Sequence, residues 1–89
     1  MDEITLTIKR HIALGQIAFA LEELSNFLMF NHPGLYDECI MQQAHFVDYK
    51  KRDEYGLLPE SELYVMRTRL IQGILTILNA IDCPKKIGL

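Results

Sequence analysis

The chain has 89 residues, 49% of them hydrophobic and 24% charged, with a formal net charge of -3 and a pI near 5.5. That length supports one hydrophobic core and excludes a second domain. The charge excludes a general attraction to phosphate backbones or anionic lipid and leaves room only for a local basic patch.

Asp2 can cap a first helix, and Ile4, Ile8 and Ile12 recur every four residues on one face. The alternation from Ile4 to Ile8 also fits a strand, and only the continuation to Ile12 favours a helix, which would end near Gly15. From Gln16 to Asn31, Ile17, Ala20, Leu21, Leu24, Phe27 and Leu28 make a broad apolar stripe, stopped by the run Asn31-His32-Pro33-Gly34. A third helix is predicted from about Leu35 to Tyr55, with Tyr36, Cys39, Ile40, Phe46 and Val47 inward and Gln42, Gln43, Lys50 and Lys51 more exposed. Lys50, Lys51 and Arg52 in its last turns suit the negative end of the helix dipole, and Gly56 suits a left-handed stop.

Pro59, Glu60 and Glu62 mark the start of a fourth helix, about Pro59 to Ile81, antiparallel to the third because the connection is short. Leu63, Met66, Leu70, Ile74, Ile77 and Ile81 line one face, and Ile71, Leu75 and Leu78 widen it. Eight of the twelve residues from Leu70 to Ile81 are apolar, more than one buried stripe needs. The helix is therefore either central or covered by a partner outside the chain. Gly73 lowers helix propensity by about 1 kcal/mol relative to alanine, which fits a close approach by a neighbouring helix. Gln72, Thr76 and Asn79 interrupt the apolar run, which falls short of the ~20 residues that cross a bilayer. The period is lost after Ile81, so residues 1–82 read as one helical domain and residues 83–89 as a tail or the start of a linker.

The residues offer little for catalysis. His11, His32 and His45 lie far apart and form no zinc spacing, and the carboxylates lack the Glu-x-x-His pairs of a di-metal bundle. No metal or cofactor is expected. Cys39 reads as a small core residue, and Cys39 and Cys83 form neither a CxxC pair nor a disulfide framework. With no secretory signal at the acidic amino terminus, the expected setting is cytoplasmic. No phosphate-binding loop or nucleophile elbow is present. The expectation is a protein that is not an enzyme. Tyr49, Tyr55 and the basic run between them resemble a strip for single-stranded nucleic acid, but Asp48, Asp53 and Glu54 break it, favouring an ion-paired helix end. Arg67 and Arg69 stand on an otherwise apolar helix. Each is read as a salt bridge within the chain, one of them to Asp53 or Glu54, or as a contact to a partner.

Ala44-His45-Phe46, Arg52-Asp53, Gly56-Leu57-Leu58, Glu60, Glu62, Arg69-Leu70, Gly73-Ile74-Leu75 and Ile77-Leu78 together resemble the small helical effector-associated domains of bacterial conflict systems. Gly15 and Ala20-Leu21-Glu22-Glu23-Leu24 fit the same scheme, so the resemblance covers nearly the whole chain to Ile81. It departs from the pattern at Pro59, where a serine cap is usual, and at Thr68, where asparagine is common. The resemblance implies an adaptor, death-fold-like or analogous, that pairs homotypically with a like domain on an NTPase, a protease or a TIR-type effector and so couples a sensor to an effector in bacterial defence.

The combined expectation is an all-α antiparallel four-helix bundle acting in protein-protein interaction, with homo-oligomerisation open and neither nucleic acid nor membrane as partner. The candidate contact residues are Lys50, Lys51, Arg52, Asp53, Glu54, Arg67 and Arg69 as polar determinants and Ile71 and Leu75 as apolar ones. The alternative is a small nucleic-acid-binding or antitoxin-like regulator.

Overall fold

Two glycines set the hairpins. In the computed structural model, which describes residues 3–82, Gly15 has φ +77° and Gly56 φ +63°, left-handed conformations that L side chains adopt only at a cost. Each closes a helix with the same pair of bonds. Gln16 N–H donates to His11 O at 2.8 Å and Gly15 N–H to Ile12 O at 3.0 Å; Leu57 N–H donates to Arg52 O at 3.0 Å and Gly56 N–H to Asp53 O at 3.3 Å. The pattern satisfies carbonyls that a helix end leaves open.

The helices are α1 (Glu3–Ala13), α2 (Ile17–Asn31), α3 (Pro33–Glu54) and α4 (Glu60–Asp82), and no strand occurs among the described residues. The fold is an all-α bundle, as the sequence pattern predicts. Asp2, Cys83 and the tail 83–89 lie outside the described residues. The boundary that moves is the start of α3. The sequence predicts Leu35, but the helix opens at Pro33, whose missing N–H is harmless in a first turn. Only His32 separates α2 from α3, its N–H donating to Leu28 O at 2.9 Å and its carbonyl accepting from Leu35 and Tyr36.

Each helix packs against its neighbours in sequence, and α1 also meets α4. The core joins Ile8 of α1, Ile17, Ala20, Leu21, Leu24 and Leu28 of α2, Cys39 of α3, and Ile74, Ile77, Leu78 and Ile81 of α4. Leu70 is buried as well, and so is Thr5, three residues before Ile8 and on the same face of α1. The Cys39 thiol lies 3.9 Å from the carbonyl of Leu21, which fixes α2 and α3 as antiparallel.

The aliphatic excess between Leu70 and Ile81 is absorbed internally: Leu70, Ile74, Ile77, Leu78 and Ile81 are buried and Ile71 and Leu75 are half-buried against the core, while Val65, nearer the start of α4, stays exposed. Helix α3 departs from expectation. Tyr36 and Phe46 pack on the core, but Ile40 is 42% exposed and Val47 53% exposed, so both point out of the bundle. Cys39 is the one fully buried residue of this 22-residue helix. No helix among the described residues is long and apolar enough to cross a membrane.

Candidate protein-interaction surface

The bundle separates the polar residues singled out by the sequence into three places. Lys50, Lys51, Arg52, Asp53 and Glu54 are exposed at the end of α3. Arg52 Nε donates to Asp48 Oδ2 at 3.0 Å, an (i, i+4) pair of the exposed kind that stabilises a helix by ~0.3–0.5 kcal/mol. The basic run is thus partly neutralised. Tyr49 is half-buried, its ring centroid 6.2 Å from that of Phe46, so it is not a free stacking platform.

Arg67 and Arg69, two positions apart, are about 200° apart around the helix and enter different hollows. Arg67 is half-buried in a hollow of about 370 Å³, with the α1–α2 turn on one side and Phe46, Tyr49, Lys50 and Asp53 on the other. A methyl group on Gly15 would stand 3.8 Å from its Nη2, so the turn and the guanidinium are in contact range. Phe19 edges the same hollow and lies 5.9 Å from the ring of His11, which reaches Gln16 Oε1 at 3.0 Å. Arg69 is exposed beside a second hollow, of about 320 Å³, lined by Gln42, His45, Asp48, Met66 and Leu70.

Neither arginine forms an ion pair or hydrogen bond with the described residues, which corrects the expected salt bridge to Asp53 or Glu54. Asp53 shares the hollow of Arg67 without pairing with it. Among the described residues, then, no acceptor takes up either donor fork.

The apolar candidates differ in exposure. Ile71 and Leu75 pack on the core, whereas Ile40, Met41, Ala44 and Val47 form the exposed apolar stripe of α3. The signal was present in the sequence as two rival stripes seven residues apart: Cys39 with Phe46, and Ile40 with Val47. Adjacent residues on a helix differ by about 100°, so a straight helix cannot bury both stripes fully.

Among the described residues the other polar groups come together in no metal-binding cluster, and the one described thiol is buried. Burial pushes the Cys39 thiol up to about 11, which keeps it protonated and unreactive in the folded chain near neutral pH. Among the described residues no three His, Cys, Asp or Glu side chains come together to hold a metal ion. His32 sits in the α2–α3 junction against Phe27, and His45 is exposed on the rim of the Arg69 hollow.

Comparison with known families matches the chain to the family described as Effector-associated domain 11, over residues 3–82. No curated protein and no solved structure matches the chain.

Proposed function

The chain belongs to the effector-associated domain 11 family, and from that premise we propose that it is a docking module that pairs with a like domain and couples a sensor or signalling protein to an effector in bacterial defence. The observation that carries this reading is the pair of arginines, Arg69 beside a mainly apolar hollow and Arg67 in a mixed one edged by Phe19 and Phe46, both without a partner among the described residues. A guanidinium at the edge of a depression is well placed to donate two hydrogen bonds to a partner carboxylate while the depression takes up a neighbouring side chain. The exposed apolar stripe of α3 adds area of the kind found at the centre of an interface. No catalytic role is assigned to the domain, and the effector chemistry belongs to the partner or to a fused segment.

The test is capture of a protein carrying a like domain by the wild-type chain and by Arg67→Glu, with circular dichroism on both. Reversal of this half-buried charge should lower capture at least tenfold while the helical spectrum persists. Unchanged capture by a folded Arg67→Glu protein would remove the polar half of the proposal. A gel shift that weakens with added salt would instead support the nucleic-acid reading.

A further inference from the structure

The seam between α3 and α4 holds two depressions, and α3 also carries an exposed apolar ridge. Gly73 on α4 lies under the side chain of Gln42 on α3, and a methyl group there would overlap the carboxamide. Gln42 thereby divides the seam in two. One depression, about 320 Å³, lies among His45, Met66, Arg69 and Leu70; the other, about 410 Å³, lies among Leu35, Glu38, Thr76, Ile77 and Ala80. On α3 their edges are marked by His45 and Glu38, seven residues and so about 10 Å apart. The ridge repeats that step: Ile40 and Val47 are exposed and also seven residues apart, with exposed Ala44 between them.

Charges at the two ends set the direction. Exposed Asp37 precedes Ile40 by one turn and exposed Lys51 follows Val47 by one turn. In the groove, one depression carries Arg69, without a partner among the described residues, and Asp48, whose carboxylate is already paired with Arg52; the other carries Glu38. Laid parallel to the α3 that receives it, the ridge would set Asp37 against Glu38 and Lys51 against Arg69, two like-charge contacts. Laid antiparallel, it sets Asp37 against Arg69 with Ile40 in the Met66 and Leu70 depression, and Lys51 against Glu38 with Val47 in the Thr76 and Ala80 depression. Both end contacts are then attractive, and the like-charge arrangement is disfavoured.

We propose that the partner of this groove is a second copy of the chain, which inserts its α3 ridge, Ile40 to Val47, antiparallel into the α3–α4 groove. Glu38 and His45 lie about 200° around α3 from Ile40 and Val47 respectively, so groove and ridge occupy opposite flanks of one helix. Each copy therefore offers its ridge to one neighbour and its groove to another. Such a contact is heterologous, and it extends into a chain or closes into a ring instead of stopping at a dimer. The inference rests on the homotypic reading above and names its surfaces.

The experiment is light scattering after gel filtration over a hundredfold range of protein concentration. Wild-type mass should rise with concentration past that of two chains, whereas Ile40→Asp and Arg69→Asp should each run at the 10.3 kDa of one chain. An equimolar mixture of those two variants should form a complex of two chains that grows no further, because one variant keeps its groove and the other its ridge. Asp37→Arg alone should abolish assembly, and Asp37→Arg combined with Arg69→Asp should restore it.

A wild-type chain that stays monomeric throughout, a mass that stops at two chains, or a double swap that fails to restore assembly overturns the proposal. Circular dichroism on each variant separates loss of contact from loss of fold; all three sites are exposed. Arg67 belongs to neither ridge nor groove, so its capture test is independent. A monomeric chain that still captures a like domain overturns self-assembly alone. A chain that assembles as described but captures no like domain on a different protein supports the ridge and groove and overturns the wider adaptor reading.

Discussion

Helices α3 and α4 are nearly equal in length, 22 and 23 residues, and pack side by side as one hairpin, yet they spend their apolar residues in opposite ways. In α4, Leu70, Ile74, Ile77, Leu78 and Ile81 are buried and Ile71 and Leu75 pack against them. In α3 only Cys39 is fully buried, while Ile40, Met41, Ala44 and Val47 face outward. The aliphatic second half of α4 is thus covered by its own chain, and a more polar neighbour can hold an uncovered apolar stripe. What matters is how apolar residues are distributed around the helix, since only those on the inner face leave water on folding.

The strongest way to test the contrast is to shorten one side chain on each helix. Ile74→Ala removes a fully buried side chain from α4 and should destabilise the bundle by about 3 kcal/mol in urea unfolding. Ile40→Ala on α3 should change stability by no more than about 0.5 kcal/mol. Equal losses would mean that α3 contributes to the core as α4 does.

The second test concerns the one deep anchor of α3. Burial raises the Cys39 thiol from its ordinary value of 9.0 to about 11, so the folded chain favours the neutral form. The unfolded thiol ionises first as pH rises, so the stabilisation is complete below pH ~9 and is lost as pH climbs towards ~11, by about 2 kcal/mol. Denaturation of wild type and Cys39→Ala across that window should show the extra slope in wild type only. Parallel pH profiles would mean that the thiol is solvated in the fold.

The third concerns the turn that joins the two helices. Gly56→Ala has open space around the new methyl group, nothing lying within 4 Å, so only the backbone at φ +63° opposes it. The expected loss is about 1 kcal/mol. A neutral result would show that the turn relaxes to another conformation without disturbing the hairpin.

Much of this architecture was legible in the sequence because its signals are local. Gly15 and Gly56 announce left-handed stops, Glu60 and Glu62 announce a helix start, and the i, i+3, i+4 pattern of α2 identifies its buried face before any neighbour is known. Which way α3 faces was not legible. Its stripes of Cys39 with Phe46 and Ile40 with Val47 have the same spacing and similar hydrophobicity, and the choice between them is made by α2, whose Leu21 carbonyl meets the Cys39 thiol. Contacts between arginines and carboxylates were equally out of reach. Arg67 and Asp53 share a hollow without pairing, a matter of side-chain placement that spacing does not encode.

The finest distinction between the two helices lies at their seam, where Gly73 of α4 gives way to Gln42 of α3. Alanine at position 73 should gain about 1 kcal/mol in helix propensity, because glycine loses more backbone freedom on folding. In the wild-type background that gain is opposed, since the new methyl group overlaps the Gln42 carboxamide and the side chain must swing aside. The carboxamide is the far end of a flexible side chain, so the opposition is partial and Gly73→Ala alone should be close to neutral. With Gln42→Ala the obstruction is gone, and the same change should stabilise by nearly the full amount. The cycle of wild type, two single variants and the double variant should therefore give a coupling of about 0.5 kcal/mol or more, above the ~0.3–0.5 kcal/mol scatter of independent sites at its upper end. A coupling indistinguishable from zero would mean that Gln42 leaves the seam freely. Gly73 would then have no packing reason to be glycine, and the division of the groove into two depressions would lose its cause.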